Sequence, residues 1–294
     1  MTFKSGFISI IGRPNVGKST FVNNFIGEKA AIVSRKPQTT RNQIKAIYTE
    51  DRGQIIFVDT PGIHKAKNEL DKYMLDQSFE SLKGIDLVLF MVEATSPFGK
   101  GDNFILNQLS GIKQKLIVIM NKIDKINKKL LSRRIDDYEK NTGKKIIPIS
   151  AMYNTNFSLL KRKIFKKLPE GPQYYPEDMY VDQWEKFIVA ELIREQIFRL
   201  TREEIPYGTA VIVEEMKERD DDLIYIRANV FVEQKSHKGI IIGKNGKMLK
   251  KIGSYSRKKI QKLLNTKVYL DLWVKVKKDW RENKSLIRQM GYRG

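Results

Sequence analysis

Gly12, Gly17, Lys18 and Ser19 stand in the stretch GRPNVGKST (12–20), two glycines with four residues between them and a lysine and a hydroxyl directly behind. This spacing suits phosphate binding. Backbone N–H groups of such a loop converge on phosphate oxygens, Lys18 reaches the outer phosphates, and Ser19 ligates Mg²⁺. Arg13, Pro14, Asn15, Val16 and Thr20 complete the expected cradle. A second stretch, DTPG (59–62), offers Asp59 to the Mg²⁺ shell through water and the Gly62 N–H to a terminal phosphate, with Thr60 and Pro61 between them. Standing alone, those four residues read as an ordinary turn.

A third stretch, NKID (121–124), carries base-recognition chemistry. Guanine presents an exocyclic amine beside a ring N–H, and one carboxylate accepts from both, which suits Asp124; adenine lacks that donor pair. Asn121 is expected to brace the loop and bond the base, and the aliphatic stem of Lys122 to cover its plane. In SAM (150–152), Ser150 and Ala151 follow another apolar run, and the Ala151 N–H is expected to meet the guanine oxygen. The four stretches in this order favour GTP/GDP over ATP, with Mg²⁺ at Ser19 and Asp59.

Far along the chain lies another glycine-bracketed turn, GKNG (243–246), after Ile240, Ile241 and Ile242 and before Lys247. Glycines let a backbone approach a nucleic-acid strand closely, and Lys244 and Lys247 neutralise phosphate charge. Asn245 completes the turn, and the three isoleucines are candidates for an apolar groove floor, with at least one of them in the core. A plain helix-to-helix turn is the simpler alternative. GKNG is too short for a nucleotide loop and follows no strand.

The elements that must position these residues follow from periodicity. Short branched runs at 7–11, 46–50, 54–58, 86–92, 116–120 and 145–150 read as strands. Helical patterns fall at 18–26, 68–82, 101–110, 127–141 and 156–168. Alternation of this kind predicts an α/β domain with a mostly parallel sheet whose ligand sits beyond the carboxyl ends of the strands. LPEGPQYYPEDM (168–179) breaks the pattern with three prolines, and reads as a linker. The expected organisation is a nucleotide domain over 1–170, a linker over 171–181 and an α+β domain over 182–294. The second domain reads as a helix at 182–200 capped by Asp182, strands at 207–216 and 223–233 joined through ERDDD, and a short helix into Ile242. GKNG, a helix at 247–264, a strand at 267–276 and a basic helix at 281–290 before GYRG complete it. Trp184, Trp273 and Trp280 are expected in core or interface packing, and Phe21 and Phe25 in helix core.

The 294 residues carry 55 Lys+Arg against 34 Asp+Glu, a formal charge of +21. The charge is segregated: residues 235–294 hold 18 basic and 3 acidic side chains, directly after 171–234 with 7 and 15. That points to a polyanionic partner. The absence of cysteine excludes disulfides, thiolate metal sites and thiol nucleophiles, and two histidines leave little for an imidazole metal site. No signal peptide and no membrane-spanning run is read.

The ordered set GRPNVGKST, PQTTR, DTPGIH and NKID resembles the translation-factor-related GTPases, and among them the bacterial Era family, nearly end to end. The resemblance implies a P-loop GTPase domain followed by a KH domain of the bacterial, type II arrangement, whose GXXG loop clamps single-stranded RNA. It places SRKPQTTR (34–41) in the first switch, where Thr40, before Arg41, is favoured over Thr39 for Mg²⁺ and the γ-phosphate. With Lys18 and Gly62, Thr40 makes the expected catalytic set. Ile63 stands where many GTPases place a water-orienting Gln, so slow turnover is expected. His64 is read mainly as a packing or switch residue rather than a proton acceptor, and Asn15 raises K⁺ stimulation. The implied partners are the 3′ end of small-subunit ribosomal RNA and the 30S precursor. A monomeric cytoplasmic protein with weak peripheral contact to the inner membrane is expected. The segment after Met152, YNTNFSLLKRKIF, departs from the family by a trimmed turn. Alternatives are a tRNA-modifying GTPase, an RNA-binding protein with a degenerate nucleotide fold, and a DNA- or membrane-surface binder.

Overall fold

The computed structural model describes residues 2–32, 36, 38–112, 115–219 and 222–292. Ser34, Arg35 and Pro37 of the expected switch, Asp220 and Asp221 of the expected ERDDD turn, and Arg293 and Gly294 at the end lie outside the described residues. Two compact units are present: Met1–Ala66 with Asp71–Asp182, and Lys67–Leu70 with Gln183–Gly294.

Seven strands form the sheet of the first unit: β1 (Lys4–Ile11), β2 (Ile44–Glu50), β3 (Gly53–Asp59), β4 (Leu87–Glu93), β5 (Lys115–Asn121), β6 (Ile146–Pro148) and β7 (Val181–Asp182). Their order is β6-β5-β4-β1-β3-β2-β7, parallel from β6 through β3 and antiparallel where β2 meets β3 and β7. Runs such as QIIFV and LVLFMV are apolar without alternation because both faces of a central parallel strand are covered. The helices are α1 (Lys18–Ile26), α2 (Glu69–Glu80), α3 (Lys100–Leu109), α4 (Lys128–Thr142) and α5 (Phe157–Lys167). One apolar layer centres on Phe21, Phe25, Phe57 and Phe157, whose rings meet edge-on or tilted at 4.9–5.7 Å. A second layer holds Val88, Phe90, Ile105 and Tyr138. Because β1, β3, β4, β5 and β6 run the same way, their carboxyl ends open on one edge. The loops at 12–17, 59–62, 121–124 and 150–152 all emerge there.

Residues 171–181, expected to be a linker, are fastened to this unit. The side chain of Gln54 is fully buried; its Oε1 accepts from the N–H groups of Tyr174 (2.9 Å) and Tyr175 (3.0 Å), and its Nε2 donates to Tyr175 O (2.8 Å). Ile47 N donates to Tyr180 O (2.9 Å), and β7 then pairs with β2. Prolines block helix, as expected, but the extended chain that results is well suited to satisfy a sheet edge.

The second unit contains α6 (Glu185–Leu200), β8 (Ala210–Arg219), β9 (Leu223–Val232), α7 (Lys235–Ile242), α8 (Lys247–Leu264), β10 (Lys267–Val276) and α9 (Lys284–Gln289). Its sheet order is β10-β9-β8, with β10 parallel and β8 antiparallel to β9. One sheet face and the helices share a core of Ile193, Ile226, Val230, Ile241, Ile252 and Ile260.

Two expectations need correction here. Asp182 does not cap the first helix: its carboxylate accepts from Tyr175 OH (2.8 Å) and Lys45 Nζ (3.3 Å) within the first unit, and the helix starts at Glu185 after Trp184. The expected helix at 281–290 is a single 3-10 turn, Trp280–Glu282, and then α9, because the Asn283 side chain accepts from Ser285 N and Leu286 N and starts a new helix. α6 is also less amphipathic than its pattern implies. Arg194 and Glu195 are buried within it, paired with Glu191 (2.5 Å) and Lys259 (2.7 Å). Among the described residues no helix is long and apolar enough to cross a membrane.

Candidate functional site

The first loop leaves β1 and enters α1 through Gly17, whose φ of 105° lies in the left-handed region. Lys18 is buried and its ammonium donates to the carbonyls of Gly12 (2.9 Å) and Arg13 (3.2 Å), holding the loop in a tight ring. Burial lowers the Lys18 pKa to about 8, against the raising pull of Asp59. Val16 is core, so its contribution to a cradle is its backbone; Asn15 is exposed with φ 64°, and Pro14 and Thr20 are half-buried.

Ser19, Thr40 and Asp59 converge. Ser19 Oγ donates to Asp59 Oδ2 (2.8 Å), and the Ser19 and Thr40 hydroxyls lie 2.9 Å apart. Thr40 Oγ1 is 3.4 Å from the same carboxylate oxygen, whereas Thr39 turns to its own loop and donates to Lys36 O (2.8 Å). Asp59 is fully buried with Oδ1 unpartnered, and burial pushes its carboxyl upward against Lys18, Ser19 and Thr40. Two hydroxyls and one buried carboxylate are hard oxygen donors that suit Mg²⁺, which retains waters and phosphate oxygens for the rest of its octahedron. Among the described residues no group of three or more His, Asp or Glu forms a separate metal cage.

The 59–62 turn presses against the first loop. A Cβ on Gly62 would stand 2.6 Å from Pro14 Cα, so only glycine permits this approach. Thr60 is buried and donates to Ile10 O (2.6 Å), and Pro61 O accepts from Ser78 (3.0 Å); the Thr60 side chain and the Pro61 carbonyl serve the fold rather than the phosphate edge. Ile63 is packed in the core, with its N–H bonded to Gly12 O (3.1 Å). His64 bridges Gly62 O (2.9 Å) through Nδ1 and Asp71 (3.3 Å) through Nε2, with Gln38 at 3.1 Å. The Asp71 carboxylate raises the His64 pKa, which disfavours the neutral imidazole that a general base requires.

At the base-recognition loops, Asn121 is buried and braces two segments: Nδ2 donates to Val16 O (2.9 Å) and Oδ1 accepts from Ala151 N (2.8 Å). The Ala151 N–H expected to face guanine is thus already engaged by Asn121 and would have to share or exchange that partner. Asp124 is exposed, with Oδ1 accepting from Ser150 Oγ (2.5 Å), which aims the carboxylate and gives Ser150 a positioning role. Lys122 Nζ is pinned by Glu93 Oε2 (2.5 Å) and Asn15 O (2.5 Å), so its stem is fixed beside the first loop.

Several partners were not read from the sequence. Glu93 at the end of β4 holds Lys122; its place at a strand's carboxyl end was the available signal. Arg13, expected in the cradle, points its side chain at buried Asp102 (3.0 Å) and Ser96 (2.8 Å), so its side chain is structural. Asp71 carried no motif, and Gln38, though part of SRKPQTTR, gave no sign of its contact with His64.

In the second unit, Gly243 joins α7 to the turn with φ 71°, and a Cβ there would stand 2.7 Å from Met248 Cβ. Gly246 has φ 74° with open space where a Cβ would go. Lys244, Asn245 and Lys247 are exposed. Of the three isoleucines, Ile241 is core, Ile242 half-buried and Ile240 exposed, so a groove floor falls to Ile240 and Ile242. α8 begins at Lys247 with no side-chain cap and no acidic residue in its first turn, which leaves its N-terminal N–H groups and positive dipole facing the same turn. Of the tryptophans, Trp280 is buried and donates to Gly208 O (3.0 Å), whereas Trp184 and Trp273 are exposed and take no place in the core.

A family model described as a 50S ribosome-binding GTPase matches residues 7–122, and one described as a KH domain matches 204–281. The GTPase Era of Halothermothrix orenii is 62% identical over 294 residues, covering all of both chains, and that of Alkaliphilus oremlandii is 55% identical over 295, covering 99% and 100%. Two solved structures each superpose with a TM-score of 0.96 at 39% identity and cover 99% of both chains. One is an Aquifex aeolicus Era variant bound to GDP·AlF4⁻, the other Era with MgGDPNP and nucleotides 1506–1542 of 16S ribosomal RNA. Both units match their family models and the relatives align from end to end, so the chain belongs to the Era GTPase family.

Proposed function

We propose that this chain hydrolyses GTP and binds the 3′ end of small-subunit ribosomal RNA during assembly of that subunit, with the nucleotide state controlling RNA access. The observation that carries the reading is the convergence of Ser19, Thr40 and Asp59 beside Lys18, on the sheet edge that also bears Asp124. Lys18 and the 12–17 backbone bind the phosphates, and Asp124, aimed by Ser150, selects guanine. Mg²⁺ held by Ser19 and Thr40, with Asp59 behind them, would neutralise charge on the transferring phosphate. The Gly62 N–H meets the terminal phosphate and so reports its presence to the second switch. Ile63 is buried and His64 is tied to Asp71, so neither orients the attacking water, and intrinsic turnover is slow. Asn15, exposed beside the phosphate loop, is read as a K⁺ ligand; equal turnover in potassium and sodium would remove that part.

The RNA half rests on the open GKNG turn, the basic start of α8 and the relative solved with 16S RNA. A binding titration of the 1506–1542 RNA against the GTP-analogue, GDP and nucleotide-free states is the test. Binding is expected to be tightest with the analogue, and to fall at least tenfold when Lys244 and Lys247 are both changed to Glu. Equal affinity in all three states refutes the coupling, and an unaffected double variant refutes the clamp.

A further inference from the structure

The sheet of the second unit has two faces, and only one is covered by its helices. On the other face Tyr225 and Tyr269, direct partners across β9 and β10, stack with centroids 5.8 Å apart and planes 14° apart. The Arg219 guanidinium lies 4.2 Å from the Tyr225 ring centre. Cation, ring and ring therefore form a stack across the three strands that ends at Tyr269, 57% exposed on the edge strand. Four residues on, and so on the same face about 13 Å away at about 3.3 Å per residue, Trp273 is 56% exposed. Asp271, between them, accepts from Trp273 Nε1 (2.8 Å) and Tyr225 OH (3.3 Å) and so holds two of the rings. The cross-strand pair of Tyr225 and Tyr269 stabilises the sheet, but the outer face of Tyr269 and the ring of Trp273 are left open to a partner.

The surrounding charge identifies the occupant. Lys217, Arg219, Arg227, Lys267 and Lys275 share this face through the strand register. Glu215 is shared by Lys217 (2.7 Å) and Arg227 (3.2 Å), Glu214 bonds Asn229 and Asp271 the rings, so five cations face three engaged acids and Lys267 and Lys275, on the edge strand beside the two open rings, are the ones placed for phosphates. Exposed ring faces among cations are the recognition chemistry of unpaired nucleobases on a phosphate backbone. We propose that this face is a second single-stranded RNA platform, where one base extends the stack on Tyr269 and another stacks on Trp273. It is separate from the clamp formed by the GKNG turn, and the proposal rests on the RNA-binding reading above.

The experiment uses the full chain with two probes, the 1506–1542 RNA and a tetranucleotide from its 3′ end, the length a GXXG clamp grips. Changing Tyr269 and Trp273 together to Ala is expected to weaken the long RNA about fivefold or more per lost stack while leaving the tetranucleotide unchanged. The Tyr269→Phe, Trp273→Phe pair keeps ring faces and should restore most of the affinity. In a Trp184→Phe background, the long RNA should quench the fluorescence of exposed Trp273. Unchanged long-RNA affinity in the alanine pair overturns the platform but leaves the clamp standing. Loss of long-RNA binding only in the Lys244→Glu, Lys247→Glu variant does the same. If both double variants bind as the parent does, the RNA reading itself fails. Unchanged RNA binding with lost co-sedimentation with small ribosomal subunits assigns the face to a protein instead, and also overturns the proposal.

Discussion

Replacing Asn121 with Ala should open the nucleotide edge of the sheet from within. The side chain is 2% exposed, and its two bonds tie Val16 O on one loop to Ala151 N on another. Truncation leaves a buried carbonyl and a buried N–H unpaired, each worth about 1–3 kcal/mol. Partial entry of water offsets some of this, and about 2–4 kcal/mol is the expected loss in local stability. The assay is native-state hydrogen exchange of the Ala151 amide in nucleotide-free protein, since affinity for GDP would mix the brace with any bond Asn121 makes to the base. At about 1.4 kcal/mol per tenfold, exchange should accelerate from roughly 30-fold to several hundred-fold. An Asn141→Ala control, which removes only two exposed bonds to Asp137 within α4, should change it less than about threefold. Acceleration below about fivefold in Asn121→Ala would show that the loops hold each other without this side chain.

The buried Lys18 supplies a pH prediction. Its folded pKa of about 8 lies below the ordinary lysine value of 10.5, so the unfolded chain binds more protons between those values, and nucleotide-free stability should rise with pH across that window. Anionic phosphates need the ammonium, so GDP binding above pH 8 should weaken by up to about tenfold per pH unit and take up a proton, measured by calorimetry in buffers of different ionisation heat. Gly62→Ala should drive the 59–62 turn off Pro14, because the added Cβ meets backbone rather than a flexible side chain. GTP turnover should fall at least tenfold while GDP affinity, read by fluorescent-nucleotide displacement, changes little.

How legible all this was depends on how local the determinants are. The phosphate loop, the 59–62 turn and NKID were legible as motifs because phosphate and base binding need fixed residue types within a few positions, and in the structure each lies at the carboxyl end of a strand. α1, α8 and β10 were readable to the residue because periodicity and flanking glycines or asparagine coincide there. What escaped is pairwise and distant. Glu93 holding Lys122, Asp102 holding Arg13 and Asp71 holding His64 depend on the topology bringing separate elements together. Asp182 looked like a cap because capping is a local signal, and Lys45 and Tyr175 outcompeted it from elsewhere. Trp184 and Trp273 were expected in core or interface packing because large rings usually pack, and that the fold keeps both out of the core was not visible in the pattern.

Attachment of residues 171–182 to the rim of the first sheet has a practical outcome for dissecting the molecule. Cutting after residue 170 would strip β7 from β2, bare unsatisfied backbone donors and acceptors, and take from the buried amide of Gln54 its three bonds to Tyr174 and Tyr175. Such a fragment, its Gln54 amide left with Thr49 alone, should stick to copies of itself through that rim. One that ends after Asp182 keeps its selvedge and should stay dispersed.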